Sequence, residues 1–257
     1  MYKTEKQMLA QLRVLKLNGN LQGVKAEFEA EGSSLRDLFR LRRVTAALDI
    51  KLYLKIGGVE AIRDIKESIE IGVDGLIAPM VESKFAAKKF IDAVQRLYDD
   101  TPIHTTLNIE TEAGINNIES IVNFSKNIID NITIGRSDLS SSFFNKIEAN
   151  SDFIYNIISD VSEIILENKI ELTVGGGVSS ETISHLIERH QNLIQVVSKL
   201  ETRKAIFNTN DLVENPKIIN QALRFEELYI LSKKEYSDMF INSEISRLSE
   251  LNRRVSK

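Results

Sequence analysis

Residues 62–80 read IRDIKESIEIGVDGLIAPM and contain one complete helix-to-strand unit. In the first half, isoleucines from Ile62 to Ile69 recur at the spacing of one helix face, and Gly72 is a suitable C-terminal cap. The short apolar run 75–80 that follows predicts a buried strand. Helices that lead directly into buried strands are the repeating units of parallel α/β folds.

Similar units are found on both sides of this one. The predicted strands are residues 24–29, 51–56, 75–80, 104–109, 131–135 and 171–174, with one or two more inside 193–207. Glycine or proline stands where strands give way to helices, at Gly32, Gly57, Gly58, Pro79 and residues 175–177. These turns would form the rim where barrel enzymes build their active sites. The sequence therefore predicts a (β/α)8 TIM-type barrel, with an open doubly wound sheet as the alternative.

The last part of the chain differs from the rest. Residues 1–215 are predicted to form the barrel domain, and residues 216–257 an extended C-terminal helical segment. This segment is longer than one barrel helix requires. We expect it to pack on the barrel or on a neighbouring subunit.

Composition excludes several classes of protein. The chain has 257 residues, a net charge of −4 and no cysteine, so disulfides, thiol nucleophiles and cysteine-bound zinc are excluded. Without a basic excess, neither nucleic acid nor an anionic membrane is an expected partner. The first residues are polar and no apolar run reaches the length of about 20 residues that spans a membrane, so a cytoplasmic location is expected.

The first predicted strand has one charged face. Lys25, Glu27, Glu29 and Glu31 alternate with apolar residues, so the charged side chains would share one face of the strand. In a barrel this face would point into the lumen, where buried charges need partners. A solvated face on an exposed strand is the alternative. The expected partners are Lys51, Lys55, Lys199, Glu201 and Arg203.

Two neighbouring strands are each followed by a carboxylate. Glu110 follows the strand 104–109, and Asp138 follows the strand 131–135. Mg²⁺ and Mn²⁺ prefer oxygen ligands, and one or two carboxylates are often enough to hold Mg²⁺. Glu110 and Asp138 therefore fit a metal site, although an Asp in this position is also a common helix N-cap.

Two further features have weaker signals. The glycines at 175–177 precede Ser179 and Ser180 and would suit either an anion cradle at a helix N-terminus or a simple tight turn. The three histidines suggest no catalytic triad. His104 is expected to be structural, and His185 and His190, five residues apart on one predicted helix, are expected on its surface without sharing a face well.

Three blocks of sequence, in order, resemble the HpcH/HpaI aldolase and citrate lyase family of the phosphoenolpyruvate/pyruvate barrel superfamily. They are residues 72–82 (GVDGLIAPMVE), 109–111 (IET) and 134–140 (IGRSDLS), and the chain looks like a divergent member. The resemblance implies a modified (β/α)8 barrel, a divalent metal, oligomers, and reversible aldol cleavage through a pyruvate-type enolate.

The resemblance also implies site residues. The family's metal-binding Glu and Asp fall on Glu110 and Asp138, with Mg²⁺ or Mn²⁺ as the cofactor. Lys55 stands where the family has a carboxylate-binding Arg, and it lacks the bidentate fork of Arg. Gly32 stands where the aldolase branch has a catalytic His, and Arg136 replaces a residue that is commonly Pro.

The resulting hypothesis is a metal-dependent carbon–carbon lyase that acts on a small 2-oxo acid and forms homo-oligomers. Glu29 or Glu31 would move the proton, and Lys55 or Arg136 would bind the substrate carboxylate. Ser137, Gly176 and Arg203 complete the predicted substrate site. The alternatives are a CoA-thioester lyase of the citrate or malyl-CoA type, and a non-catalytic barrel that binds a small acid or assembles with partners.

Overall fold

The computed structural model describes residues 1–99 and 101–256, in which eight strands close into a barrel in sequence order. The strands are β1 (Gly23–Glu27), β2 (Leu52–Lys55), β3 (Gly75–Ala78), β4 (His104–Ile109), β5 (Asn131–Gly135), β6 (Glu171–Gly175), β7 (Lys199–Glu201) and β8 (Ala205–Asn208). The helices are α1 (Lys3–Gly19), α2 (Leu35–Ala46), α3 (Ile62–Ile71), α4 (Lys84–Tyr98), α5 (Glu112–Asn116), α6 (Ile118–Ser125), α7 (Arg136–Ser142), α8 (Asp152–Glu167), α9 (Ser180–Arg189), α10 (Gln191–Val196), α11 (Thr209–Glu214) and α12 (Ile218–Val255). The predicted TIM-type barrel with a long C-terminal helix is confirmed.

The last strand of the barrel runs in the opposite direction to the others. Strands β1 to β7 are parallel, whereas β8 pairs antiparallel with both β7 and β1. Only residues 202–204 separate β7 from β8, and a parallel crossover needs a dozen residues or more. The segment 193–207 therefore contains the end of α10 and a tight hairpin, which places its turn at the carboxyl rim of the parallel strands.

Strand β1 is shorter than predicted and ends at Glu27. The next residues turn across the rim, and Gly32 adopts a left-handed conformation with φ of 52°. Glu29 and Glu31 consequently lie on the loop after β1. Lys51 is exposed at the other end of the barrel, so its prediction as a lumen partner was wrong: Leu52 pairs with Val24, which puts Lys51 below the charged part of β1.

The barrel lumen is polar, as the alternation along β1 predicted. Lys25 and Glu27 are 7% and 5% exposed, so the charged face is enclosed and is not a solvated surface. Lower in the lumen, Asn131 exchanges hydrogen bonds with threonines of β4, β5 and β6. A small apolar cluster on β2, β3 and β8 lies nearby: Tyr53, Ile77 and Ile206. The lower lumen is therefore largely filled by these side chains.

Helix α12 has two parts with different surroundings. Its first half buries Phe225, Leu228 and Tyr229 and packs against the barrel and α1. After Ser232, the described part of α12 contains no further buried residue, although it continues to Val255. Among the described residues, we find no helix with the length and apolarity needed to cross a membrane.

Candidate active site

A cavity of about 400 Å³ opens at the carboxyl rim of the parallel strands. Seven of the nine residues predicted for the site line it, so the strand ends that the sequence singled out do converge. They are Glu29, Lys55, Glu110, Ser137, Asp138, Gly176 and Arg203. Glu31 and Arg136 are not in the lining. The cavity is also bordered by Lys25, Glu27, Asn108, Glu201, Leu223 and Glu226, among others.

The ammonium group of Lys55 lies between two carboxylates at the end of β2. Its Nζ is 2.9 Å from Glu29 Oε2 and 3.2 Å from Glu110 Oε1. Burial acts to lower the pKa of Lys55, but the negative charges of Glu110 and Glu29 outweigh it and hold the pKa above its ordinary value. Lys55 is therefore a fixed positive charge in the cavity at neutral pH.

Glu110 is held against the barrel by neighbouring strands. Its carboxylate accepts hydrogen bonds from the Met80 backbone N–H at 3.1 Å and from Asn108 Nδ2 at 3.2 Å. A Cβ added at Gly135 would lie 2.6 Å from Glu110 Oε2, so only glycine leaves room for this carboxylate at the end of β5. The buried Oδ1 of Asn108 accepts no hydrogen bond within the described chain.

Asp138 occupies the first turn of α7 and is exposed to the cavity. The N-cap of this helix is Gly135, so the alternative reading of Asp138 as the N-cap is wrong. No ion pair involves Asp138 within residues 1–99 and 101–256. Its carboxylate is accordingly available to a ligand.

A second charged group lines the floor of the cavity. Lys25 Nζ lies 2.6 Å from Glu201 Oε1 and 3.7 Å from Glu27 Oε1, and all three side chains are buried. Burial alone would lower the pKa of Lys25, but Glu201 and Glu27 raise it. This cluster ties β1 to β7 across the lumen.

Arg136 does not serve the cavity, contrary to the prediction that it catalyses the reaction or binds the substrate carboxylate. It is 0% exposed, and its guanidinium donates to the carbonyls of Gly175 and Gly176 at 3.1 and 2.8 Å. Asn150 Oδ1 and the Tyr155 hydroxyl accept further bonds, each at 2.7 Å. Because protein acceptors surround the guanidinium, Arg136 holds the rim loops together.

Glu31 also serves the protein scaffold. It pairs with Lys204, which is completely buried and lies 4.3 Å from the centre of the Tyr229 ring. Arg203 Nε approaches Glu31 and Glu27 at 3.9 Å from the same hairpin turn. Glu31 thus links the β1–α2 loop to the reversed strand, and its predicted role in proton transfer has no geometric support.

Gly176 allows two rim loops to approach closely. Its φ is +79°, and an added Cβ would lie 2.5 Å from the backbone nitrogen of Ser137. A side chain here would push the end of β6 away from the start of α7. Gly176 therefore sets the position of Ser137 and Asp138 in the cavity.

The region that carries most of these strand ends also matches a known family. Residues 56–171 match the family described as HpcH/HpaI aldolase/citrate lyase. The match runs from the end of β2 to the start of β6. The matched segment includes Glu110 and Asp138, whereas Lys55, Glu29 and Arg203 lie outside it. A comparison with curated proteins gives no match.

Solved structures of HpcH/HpaI proteins have the same fold at low sequence identity. A family protein from Burkholderia cenocepacia J2315 is 14% identical, with a TM-score of 0.63 over 86% of this chain and 89% of that one. An HpcH/HpaI aldolase from Desulfitobacterium hafniense DCB-2 is 14% identical, with a TM-score of 0.59 over 74% and 80%. Citrate synthase SbnG is 16% identical, with a TM-score of 0.61 over 91% and 90%. These structures share the barrel fold with this chain.

The cavity fits a hard divalent cation. Its lining contains six carboxylates and three cationic side chains, a formal excess of three negative charges. Glu110, Asp138 and the unpaired Asn108 Oδ1 supply the oxygen donors that Mg²⁺ and Mn²⁺ prefer. An anionic substrate would be repelled by this cavity unless a bound cation reduced its charge.

Glu226 is a cavity residue that the sequence analysis missed. It lies on α12, and burial raises its pKa above the ordinary glutamate value, although Arg203 and Lys204 act in the other direction. A signal was available, because Glu226 is spaced four residues from Ala222 and three from Tyr229, on the buried face of the helix. Its distance along the chain from the other site residues gave no reason to place it at the rim.

Proposed function

We propose that this protein is a metal-dependent carbon–carbon lyase that cleaves or forms a small 2-oxo acid through a pyruvate-like enolate. The observation that supports it most directly is the convergence of Glu110, Asp138 and the charged Lys55 in one rim cavity. This arrangement combines oxygen donors for a cation with a positive charge for a carboxylate.

The residues have separate roles in this proposal. Glu110 and Asp138 hold Mg²⁺ or Mn²⁺, and this ion supplies the Lewis acidity that stabilises a developing enolate. Lys55 binds the substrate carboxylate as a point charge, and Ser137 offers a hydroxyl beside Asp138. Arg203, whose side chain is 53% exposed at the rim, adds positive charge at the entrance.

Glu226 is the group we assign to proton transfer. Glu29 is paired with Lys55 and Glu31 with Lys204, so both carboxylates are committed to ion pairs. A general acid or base works best with a pKa near the working pH, and burial moves the pKa of Glu226 upwards in that direction. Glu226 therefore takes the part that a histidine would play at Gly32 in the aldolase branch.

The direct test is exchange of the methyl protons of pyruvate in D2O, followed by proton NMR. This exchange reports enolate formation without knowledge of the second substrate. We expect exchange that requires added Mg²⁺ or Mn²⁺ and stops with EDTA. If pyruvate shows no metal-dependent exchange and no saturable binding, the proposed function is wrong.

The CoA-thioester alternative has weaker support from the site. The likeness to citrate synthase SbnG raises condensation with a thioester as an alternative. Phosphate groups of CoA need several cationic side chains at the cavity entrance, but Lys25 and Lys55 are buried inside the cavity. Arg203 is then the remaining cation in the described cavity lining. Assays with acetyl-CoA and a 2-oxo acid would distinguish this reaction.

Glu226→Gln is expected to lower the rate of pyruvate exchange by roughly 10²-fold, the lower range for a general acid–base group. The wild-type rate should rise with pH through a pKa above that of an ordinary glutamate, because the base must be ionised, and this limb should disappear in the variant. Glu227→Gln is the control, since Glu227 is exposed and pairs with Arg224. An unchanged rate and pH limb in Glu226→Gln would exclude this role.

We also propose that the protein forms a homo-oligomer through the second half of α12. Ile241, Ile245 and Leu248 are between 53% and 57% exposed and lie at the 4,3 spacing of one helix face. An apolar face on an unsupported helix is stable only when it is buried against a partner. The partners expected from the sequence are a second copy of the chain and a small 2-oxo acid.

Light scattering at micromolar concentration should give a mass of at least a dimer. Ile245→Glu together with Leu248→Glu should shift it towards the monomer, because each places a charge on the apolar face. Ser243→Glu, on the opposite face by helical geometry, should leave the mass unchanged. A wild-type monomer would contradict the proposal.

A further inference from the structure

Three side chains outside the cavity meet at one point between α8 and α9. Asp152 Oδ1 lies 3.0 Å from His185 Nε2 and 3.0 Å from His190 Nε2. The two imidazole nitrogens and the carboxylate oxygen, one from each residue, all lie within 4.8 Å of one another. The sequence analysis placed the two histidines on the helix surface without a shared face. That was wrong, because α9 ends at Arg189 and His190, with φ −129° and ψ 46°, leaves the helix and lies with its ring beside that of His185.

The separations suit three ligands of one metal ion. Zn²⁺ binds imidazole nitrogen and carboxylate oxygen at about 2.0–2.2 Å, so two ligands of a tetrahedron are about 3.3 Å apart. The observed separations of 3.0 Å between Asp152 Oδ1 and each Nε2 are close to this value. Small side-chain movements would admit an ion, with a fourth position left for water.

The two imidazole rings are held in place by packing. Their side chains are only 16% and 12% exposed, and the rings are parallel within 5°. Tyr155 stacks on both, with ring centres 4.9 Å from His185 and 4.6 Å from His190. Rings fixed in this way lose little further freedom when they bind an ion.

The local field also favours a cation at this position. Both histidines lie at the carboxyl end of α9, where the helix dipole is negative. Asp152 supplies a carboxylate oxygen that both imidazole rings contact. Arg189 approaches Asp152 Oδ2 at 3.8 Å, on the oxygen that the histidines do not contact.

We propose that Asp152, His185 and His190 form a second metal site, for an ion that prefers imidazole, such as Zn²⁺. Its chemistry differs from that of the cavity, where Glu110, Asp138 and Asn108 offer oxygen alone. The site connects to the rim through Tyr155, whose hydroxyl accepts from Arg136 at 2.7 Å. An ion here would clamp α8 to α9 behind the loops that Arg136 holds.

The test measures Zn²⁺ binding by isothermal titration at about pH 7.5, because metal binding needs deprotonated ligands. The protein carries Glu110→Gln and Asp138→Asn, so that the cavity does not contribute. We expect about one Zn²⁺ per chain at micromolar affinity, and bound Co²⁺ should give a visible spectrum of nitrogen and oxygen ligation. Because this background lacks the cavity ligands, the result is independent of the proposed lyase activity.

Three further variants complete the experiment. Two of them remove direct ligands and should weaken Zn²⁺ binding at least about tenfold. One adds both His185→Gln and His190→Gln to the background protein, and the other adds Asp152→Asn alone. Asp160→Asn, an exposed aspartate on the same helix α8, should bind as the background does. The proposed site would be wrong if the background protein showed no saturable Zn²⁺ binding. It would also be wrong if loss of both histidines left the Zn²⁺ affinity unchanged.

Discussion

Glu110→Gln and Asp138→Asn are each expected to reduce metal-dependent pyruvate exchange at least about 10²-fold, the effect of removing one preorganised electrostatic group from an active site. Each amide keeps the size of the side chain while it removes the negative charge that holds the cation. Mn²⁺ affinity, measured by isothermal titration, should fall in both variants. Glu110→Gln should also leave Lys55 paired with Glu29 alone.

Glu112→Gln is the matched control for this pair. Glu112 lies two residues after Glu110, is exposed, and does not line the cavity. Its substitution should change neither exchange nor Mn²⁺ affinity. If both Glu110→Gln and Asp138→Asn keep the wild-type Mn²⁺ affinity, the metal site has been assigned to the wrong residues.

Lys25→Met should lower the free energy of unfolding by about 3–5 kcal/mol, the usual cost of removing one partner from a buried ion pair. The substitution leaves Glu201 and Glu27 as neighbouring buried carboxylates without their common cation. Urea unfolding at neutral pH measures the loss.

Lys51→Met provides the comparison for Lys25→Met. Lys51 is exposed at the opposite end of the barrel, so its substitution should change stability by no more than about 0.5 kcal/mol. If both substitutions lowered the free energy of unfolding by the same amount, the ion pairs of Lys25 with Glu201 and Glu27 would not stabilise the barrel as proposed.

The strand ends could be predicted because local pattern and topology agree there. Strands β4 and β5 are short, lie side by side and are each followed by a helix, so Glu110 and Asp138 had to emerge at the same rim once the fold was a barrel. The polar lumen followed from the alternation in β1 in the same way. These inferences need only the direction of the strand and the period of its side chains.

Other residues depend on partners that the local sequence does not reveal. Arg136 follows a strand just as a substrate-binding residue would, but its donors are taken by Asn150, Tyr155 and two carbonyls. Glu226 reaches the cavity only because α12 packs against the loop after β1 and the β7–β8 turn, where Tyr229 contacts Ser33 and Lys204. The direction of β8 depends on the length of a three-residue turn, which hydrophobic periodicity cannot resolve.

The antiparallel pairing of β8 bears on how the barrel folds. Val24 of the first strand pairs with Ala205 of the last, and α1 packs on α12, so the final contacts join segments far apart along the chain. Until the last strand has been synthesised and docked, β1 and β7 are open edges with unpaired backbone groups that invite aggregation. Contacts of such long sequence separation also slow folding. Docking of a four-residue strand thus completes the barrel and ends the period in which the nascent chain is vulnerable to misassembly.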